Sequence, residues 1–320
     1  MNRSDQELRQ VRDFASDMQL SIALMRKLWS PLSKGIISLL SPLVIMTLIL
    51  ISSNLKKLFA PLENPNGMSV ANSFDETLIT MGWIGLIIFI AYGVLQAAMI
   101  AMAIGGVDFW SKNKIAPNLK DLFFYVKKYT LKIVGVTILF SLLVGISYVI
   151  VMLPLSLAAS SILGALFSIL FSFAFVGLGI YAFTVYGLVC SHLILGKDSV
   201  GDSIANCFAL SRQEFLANLG YTVLLTIVVY SPVFLISFLM GIVIGITTEL
   251  YGMGMIYLQF LTIPLYVATV VLSTIFFFVA FAVRYCNLWE KMTSEELRKE
   301  IDGLVFHYEK ADEELEKRLF

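Results

Sequence analysis

Few side chains in this sequence have the chemistry to react or coordinate, and those that do are widely spaced. Gln96 is the one carboxamide or charged group deep within a long apolar segment. In lipid such a group bonds to a neighbouring helix or contacts a substrate, because hydrocarbon offers it no partner. His192 follows Cys190 by two positions, and Cys207 and Cys286 are expected at the same depth near the cytoplasmic surface. Thiolates and an imidazole can hold a soft metal ion, yet no pair of cysteines has CxxC spacing, so structural or inert thiols and no metal are expected. No GxxxxGK(S/T), HExxH or GxSxG pattern is present, and neither a catalytic residue nor a cofactor is assigned.

Two further sets carry physical rather than reactive chemistry. Gly93, Ala97, Ala101 and Gly105 recur every four residues, which leaves one helix face nearly flat and lets another helix come close. Lys120, Lys127, Lys128 and Lys132 are interleaved with Phe123, Phe124 and Tyr125 beside an apolar run. That position suits anionic lipid headgroups and not nucleic acid.

The elements that hold these residues follow from hydropathy. The 320-residue chain is 58% hydrophobic and 14% charged, against about 25% charge in soluble domains. Residues 133–196 contain no Asp, Glu, Lys or Arg over 64 positions, when roughly 20 apolar residues span a bilayer core. Such a run turns back on itself near Pro154, Ser160 and Gly164. The same reasoning gives an all-α polytopic membrane protein with six crossings, at about 35–55, 78–104, 133–155, 162–189, 219–246 and 257–283. Pro31 and Gly35 punctuate entry to the first, and a kink is expected at Pro42. The charged first 35 residues lack a signal-peptide pattern, so the first apolar segment is expected to remain as an anchor.

Amphipathic stretches precede the hairpins. Leu8, Val11, Ala15, Met18, Ile22, Met25 and Trp29 form one stripe, with Asp13 and Asp17 off it, as expected of an interfacial helix within residues 1–34. Asn118 with Asp121 starts a second such helix, and Ser199 with Asp202 a third, whose apolar side is Val200, Ile204, Cys207 and Phe208. Each leads into a pair of crossings, a pattern that suggests a threefold parallel repeat. Residues 290–320 hold 10 acids and 6 bases and form an expected cytoplasmic helical tail that either folds back on the basic interface or docks a partner. Of 23 Lys and Arg, 21 fall on one side of this topology, which puts both termini in the cytoplasm.

Residues 196–225, GKDSVGDSIANCFALSRQEFLANLGYTVLL, carry Ser199, Asp202, Ser203, Ile204, Phe208, Leu210, Arg212 and Phe215 in the pattern S-x-x-D-S-I-x-x-S-F-x-L-x-R-x-x-F. This stretch resembles a group of bacterial integral membrane proteins related to the membrane domain of glycerophosphoryl diester phosphodiesterases, with Cys207 where a small hydroxyl residue is commoner. Residues 284–291, RYCNLWEK, are similar too. The resemblance implies six crossings in a bacterial inner membrane and no catalytic residue, because the phosphodiesterase chemistry belongs to a separate soluble barrel. The expected function is a non-enzymatic scaffold or accessory subunit that contacts membrane lipids and a partner protein through the N-terminal helix or the tail. The alternative is a transporter or flippase for a lipid or hydrophobic small molecule.

Overall fold

A computed structural model describes the backbone of residues 13–63, 70–158, 162–251 and 268–294, and the side chains of 13–42, 44–45, 83, 86–87, 90–151, 171–242 and 268–294. Seven helices and no strand occur among the described residues: α1 Phe14–Glu63, α2 Val70–Asn113, α3 Leu119–Ala158, α4 Ile162–Leu195, α5 Val200–Gln213, α6 Phe215–Tyr251 and α7 Ala268–Ser294. Five stretches are long and apolar enough to cross a membrane, namely Ile90–Asn113, Leu119–Val151, Phe171–Leu195, Phe215–Ile242 and Ala268–Ser294. They overlap five of the six expected crossings. The remaining one, 35–55, lies within α1, but its side chains from 46 onward are outside the described residues, as are 1–12 of the N-terminal helix, the turn at 159–161 and the tail beyond 294.

Two of the three expected boundaries between interfacial helix and crossing are absent from the backbone, and the third is present at Glu214, between α5 and α6. α1 passes through Pro31 and Pro42 as one helix, and α3 likewise runs unbroken from Leu119 into the apolar segment. A proline forfeits one backbone hydrogen bond, whereas leaving the helix in an apolar medium would strand several more donors and acceptors. Real stops coincide with capping chemistry. Asn118 N–H donates to Asp121 Oδ2 at 2.9 Å, starting α3. Ser199, in extended conformation at ψ 162°, accepts from Asp202 N at 3.3 Å and starts α5. α2 and α4 each end beside a lysine with left-handed backbone, Lys114 at φ 60° and Lys197 at φ 65°.

The chain forms two compact units. One comprises residues 25–182; in it Gly106 is the meeting point of Leu28 from α1 and Leu122 from α3, whose methyl carbons would both lie 3.6 Å from a Cβ there. Leu32, Met99, Ile100, Met102, Ile104, Val107 and Ile133 complete its buried core. α2 is the inner helix, with 67% of its most apolar stretch buried, and α3 the outer one at 17%.

The second unit comprises residues 1–24 and 183–320. Here α7 is central, 72% buried over its most apolar stretch, and α6 is peripheral at 17%. An aromatic cluster fills the interior: Phe277 lies 4.9 Å from Phe183 and 4.8 Å from Phe281 between ring centroids, and Tyr221 lies 5.3 Å from Phe14. Interhelical hydrogen bonds add direction to this packing. Thr184 and Thr222 hydroxyls meet at 2.7 Å, Ser273 Oγ donates to Val229 O at 2.9 Å, and Tyr221 OH donates to Ala280 O at 3.1 Å.

Candidate functional site

The densest polar constellation is in the second unit, at the joint between α5 and α6. Glu214 is the single residue between these helices, so its carboxylate projects from a break in the backbone. α7 was expected to end at Arg284 but remains helical to Ser294, which carries Arg284 into the interior. Its guanidinium is held on every side: Nη2 lies 3.0 Å from Glu214 Oε2, Nε and Nη2 lie 3.2 and 2.9 Å from Asn218 Oδ1, and Nη1 lies 3.4 Å from Asp17 Oδ2. The Tyr221 ring faces it at 5.3 Å, a favourable cation–π arrangement. Asn287 Nδ2 donates to Asp17 Oδ2 at 2.8 Å and Lys291 Nζ to Glu214 Oε1 at 2.7 Å.

Two carboxylates and two cations therefore close on one another with no formal charge left over. Asp17, Asn218 and Asn287 are buried and Arg284 nearly so, and the low effective dielectric strengthens each contact while making an unpaired charge costly. Burial alone would raise the Glu214 carboxyl, but Lys291 and Arg284 outweigh it and hold the group below its ordinary value of 4.5. Among the described residues, Asn218 Nδ2 is buried with no hydrogen-bond partner, and so are the hydroxyls of Ser203 and Ser211 on α5.

A second network lies in the same unit. His192, fully buried on α4, uses both ring nitrogens: Nδ1 is 2.7 Å from Tyr285 OH and Nε2 is 2.8 Å from Asp198 Oδ2. A carboxylate only accepts, so the proton of a neutral ring belongs on Nε2 and Tyr285 donates to Nδ1. Gly196 permits the close return of the chain, because a Cβ there would stand 2.8 Å from His192 O. Cys190 and Cys207 are buried, Cys286 is half-buried, and none of the three is joined in a disulfide. Burial pushes the Cys207 thiol up, and neighbouring Cys190 adds to the effect. No three His, Cys, Asp or Glu side chains converge with metal-binding geometry among the described residues.

Comparison with protein-family models, curated proteins and solved structures returned no match.

Among the described residues of 25–182 the buried acid is Asp108, which accepts from Tyr125 OH at 2.6 Å and pairs with Lys112 one turn on. The small-residue line is unevenly used. Ala97 and Ala101 are buried, a Cβ at Gly105 would lie 2.6 Å from Tyr125 Cβ, and one at Gly93 would meet nothing within 4 Å. Gln96 is half-buried and makes no hydrogen bond among the described residues. Lys120, Lys127, Lys128 and Lys132 are all exposed, with Lys128 Nζ 5.1 Å from the Tyr129 ring centroid.

Asp17 and Arg284 were not legible as partners, since 267 positions separate them. A signal did exist. Asp17 and Ser21 continue the line of Leu24, Leu28, Leu32 and Ile36, all buried, whereas Ala15, Ile22 and Trp29 of the expected stripe are exposed. The helix thus has two apolar lines, and the one interrupted by an acid is the inner one. α5 behaves similarly: Ser203, Cys207, Leu210 and Ser211 are buried, while Phe208 is exposed.

Proposed function

We propose that this chain is a non-enzymatic scaffold or accessory subunit of a bacterial inner membrane, with six crossings and both termini in the cytoplasm. It contacts anionic lipids through Lys120, Lys127, Lys128 and Lys132, and a partner protein through its N-terminal helix or the 290–320 tail. The observation that carries this reading is the pairing of ionisable groups within the described spans. Arg284 is occupied by Asp17 and Glu214, Asp108 by Lys112 and Tyr125, and His192 by Asp198 and Tyr285. Such groups fasten helices together; a path for ions or polar solutes usually presents ionisable groups to the passing substrate. The apolar sides of α3 and α6 remain outward, and the exposed lysines lie where the chain enters a crossing.

Kinship with the membrane domains of glycerophosphoryl diester phosphodiesterases is part of the same proposal, supported by the 196–225 pattern. In-cell cross-linking followed by purification of the full chain in mild detergent tests the scaffold role. A discrete cross-linked partner that is lost on deleting 290–320, or on deleting the first helix, is the expected result. A solitary monomer in which neither deletion changes anything overturns it. Proteoliposomes that move a fluorescent phospholipid between leaflets faster than protein-free vesicles would put the transporter reading in its place.

A further inference from the structure

We propose that two copies of this chain pair in the membrane through the outer half of α2, with the Gln96 carboxamides of the two copies bonded to each other. Residues 77–107 carry no Asp, Glu, Lys or Arg. Gln96 lies within this run, and the nearest charge along the helix is Asp108, about 18 Å away at 1.5 Å per residue. A carboxamide offers two N–H donors and a carbonyl acceptor. That of Gln96 makes no hydrogen bond among the described residues. Hydrocarbon supplies no partner either, so an amide left unpaired at this depth is costly.

Gln96 sits where packing within the chain stops. From Ala97 to Asp108 every residue of α2 is buried, whereas Trp83, Leu86, Ile87, Ile90 and Val94 before it are exposed. Leu86, Gly93 and Gln96 follow at spacings of seven and three, which puts them on one face of the helix. A Cβ at Gly93 would meet nothing within 4 Å, so the backbone beside Gln96 is open to a neighbour, and a glycine lets that neighbour come close. Ala97 and Ala101, by contrast, are already used inside the chain.

A second copy fits this face better than an acyl chain or an unlike helix. Copies inserted with one topology hold Gln96 at one depth, and a twofold axis along the membrane normal brings like residues together. The carboxamide is its own complement: each N–H donates to the carbonyl of the partner's Gln96, giving two bonds in a closed pair. An acyl chain has no polar group to offer, and an unlike helix would need one at the same level. Leu86, Ile90 and Val94 supply apolar contact around the pair.

The test reconstitutes the full chain in phosphatidylcholine liposomes at low protein density. Subunits of the wild type, counted by single-molecule photobleaching, should number two, and a count of one overturns the proposal. In a background lacking Cys190, Cys207 and Cys286, copper phenanthroline should join Gly93→Cys into a disulfide dimer. It should leave Ile138→Cys and Ile227→Cys, on the exposed sides of α3 and α6, as monomers. Gln96→Leu should weaken the dimer about tenfold in a lipid-dilution series, equivalent to about 1.4 kcal/mol and the size of two interhelical amide bonds. A thermal midpoint no lower than that of the wild type shows that this variant folds. Equal cross-linking at all three positions, or a dilution curve unchanged by Gln96→Leu, overturns the pairing. A single subunit that retains a lipid lost in Gln96→Leu would assign the amide to that lipid instead of a second copy.

Discussion

Arg284 shows how a charge is accommodated in an apolar segment: Asp17, Glu214 and Asn218 surround it and leave it little contact with water. Replacing it with Met keeps the volume but leaves buried Asp17 without its cation, at a cost of about 3–5 kcal/mol. Lys291→Ala removes only a half-exposed contact to Glu214 and should cost about 1 kcal/mol or less. Thermal unfolding of the detergent-solubilised protein separates the two, and equal midpoints would mean that Arg284 is not a fastening. The same cluster sets a pH dependence. A carboxyl held below its ordinary value contributes stability that is fully present above 4.5 and is lost as pH falls through the lowered value. Glu214→Gln should therefore flatten the acid limb of the midpoint-against-pH curve; an unchanged limb would place that sensitivity elsewhere. Arg284 was visible in the sequence as a charge and Asp17 as an off-stripe acid. Their pairing was not, because it depends on which of two apolar lines of α1 turns inward.

Helix positions were legible because hydropathy and length constrain them strongly, and the starts of α3 and α5 were legible because capping is local chemistry. Helix ends were not: α2 continues past 104 to Asn113 and α7 past Arg284 to Ser294, since a paired charge does not end a helix as it ends an apolar run. The small-residue line of α2 was legible as a pattern, but its use depends on the neighbour. Tyr125 lies against Gly105, so Gly105→Ala drives a methyl into the ring and its Cβ, a fixed part of α3. Overpacking of this kind costs typically 1–3 kcal/mol. Gly93→Ala meets no atom within 4 Å and replaces a poor helix former with the best, so it should be neutral or stabilising by up to about 1 kcal/mol. Thermal midpoints of the two variants should move in opposite directions. Equal losses would imply that the whole line from Gly93 to Gly105 is packed.

At the scale of the molecule, the open quantity is the number of crossings. The described residues supply five apolar spans, and an odd count would put the two termini on opposite sides. The count turns on α1, which is helical through 35–55 and carries no charge there. A 21-residue helix is about 31 Å long at 1.5 Å per residue, enough for a hydrocarbon core of about 30 Å. Lys56 and Lys57 would then be the two of 23 basic residues on the far side, an asymmetry that the positive-inside rule tolerates in one short loop. Single cysteines placed at Ser4 and at Asn66, on either side of α1, in a background lacking Cys190, Cys207 and Cys286, distinguish the two topologies. With six crossings, a membrane-impermeant maleimide added to intact cells should label position 66 and leave position 4 unlabelled until the membrane is broken. Equal accessibility of positions 4 and 66 in intact cells would mean that α1 does not cross the membrane and that the two termini lie on opposite sides.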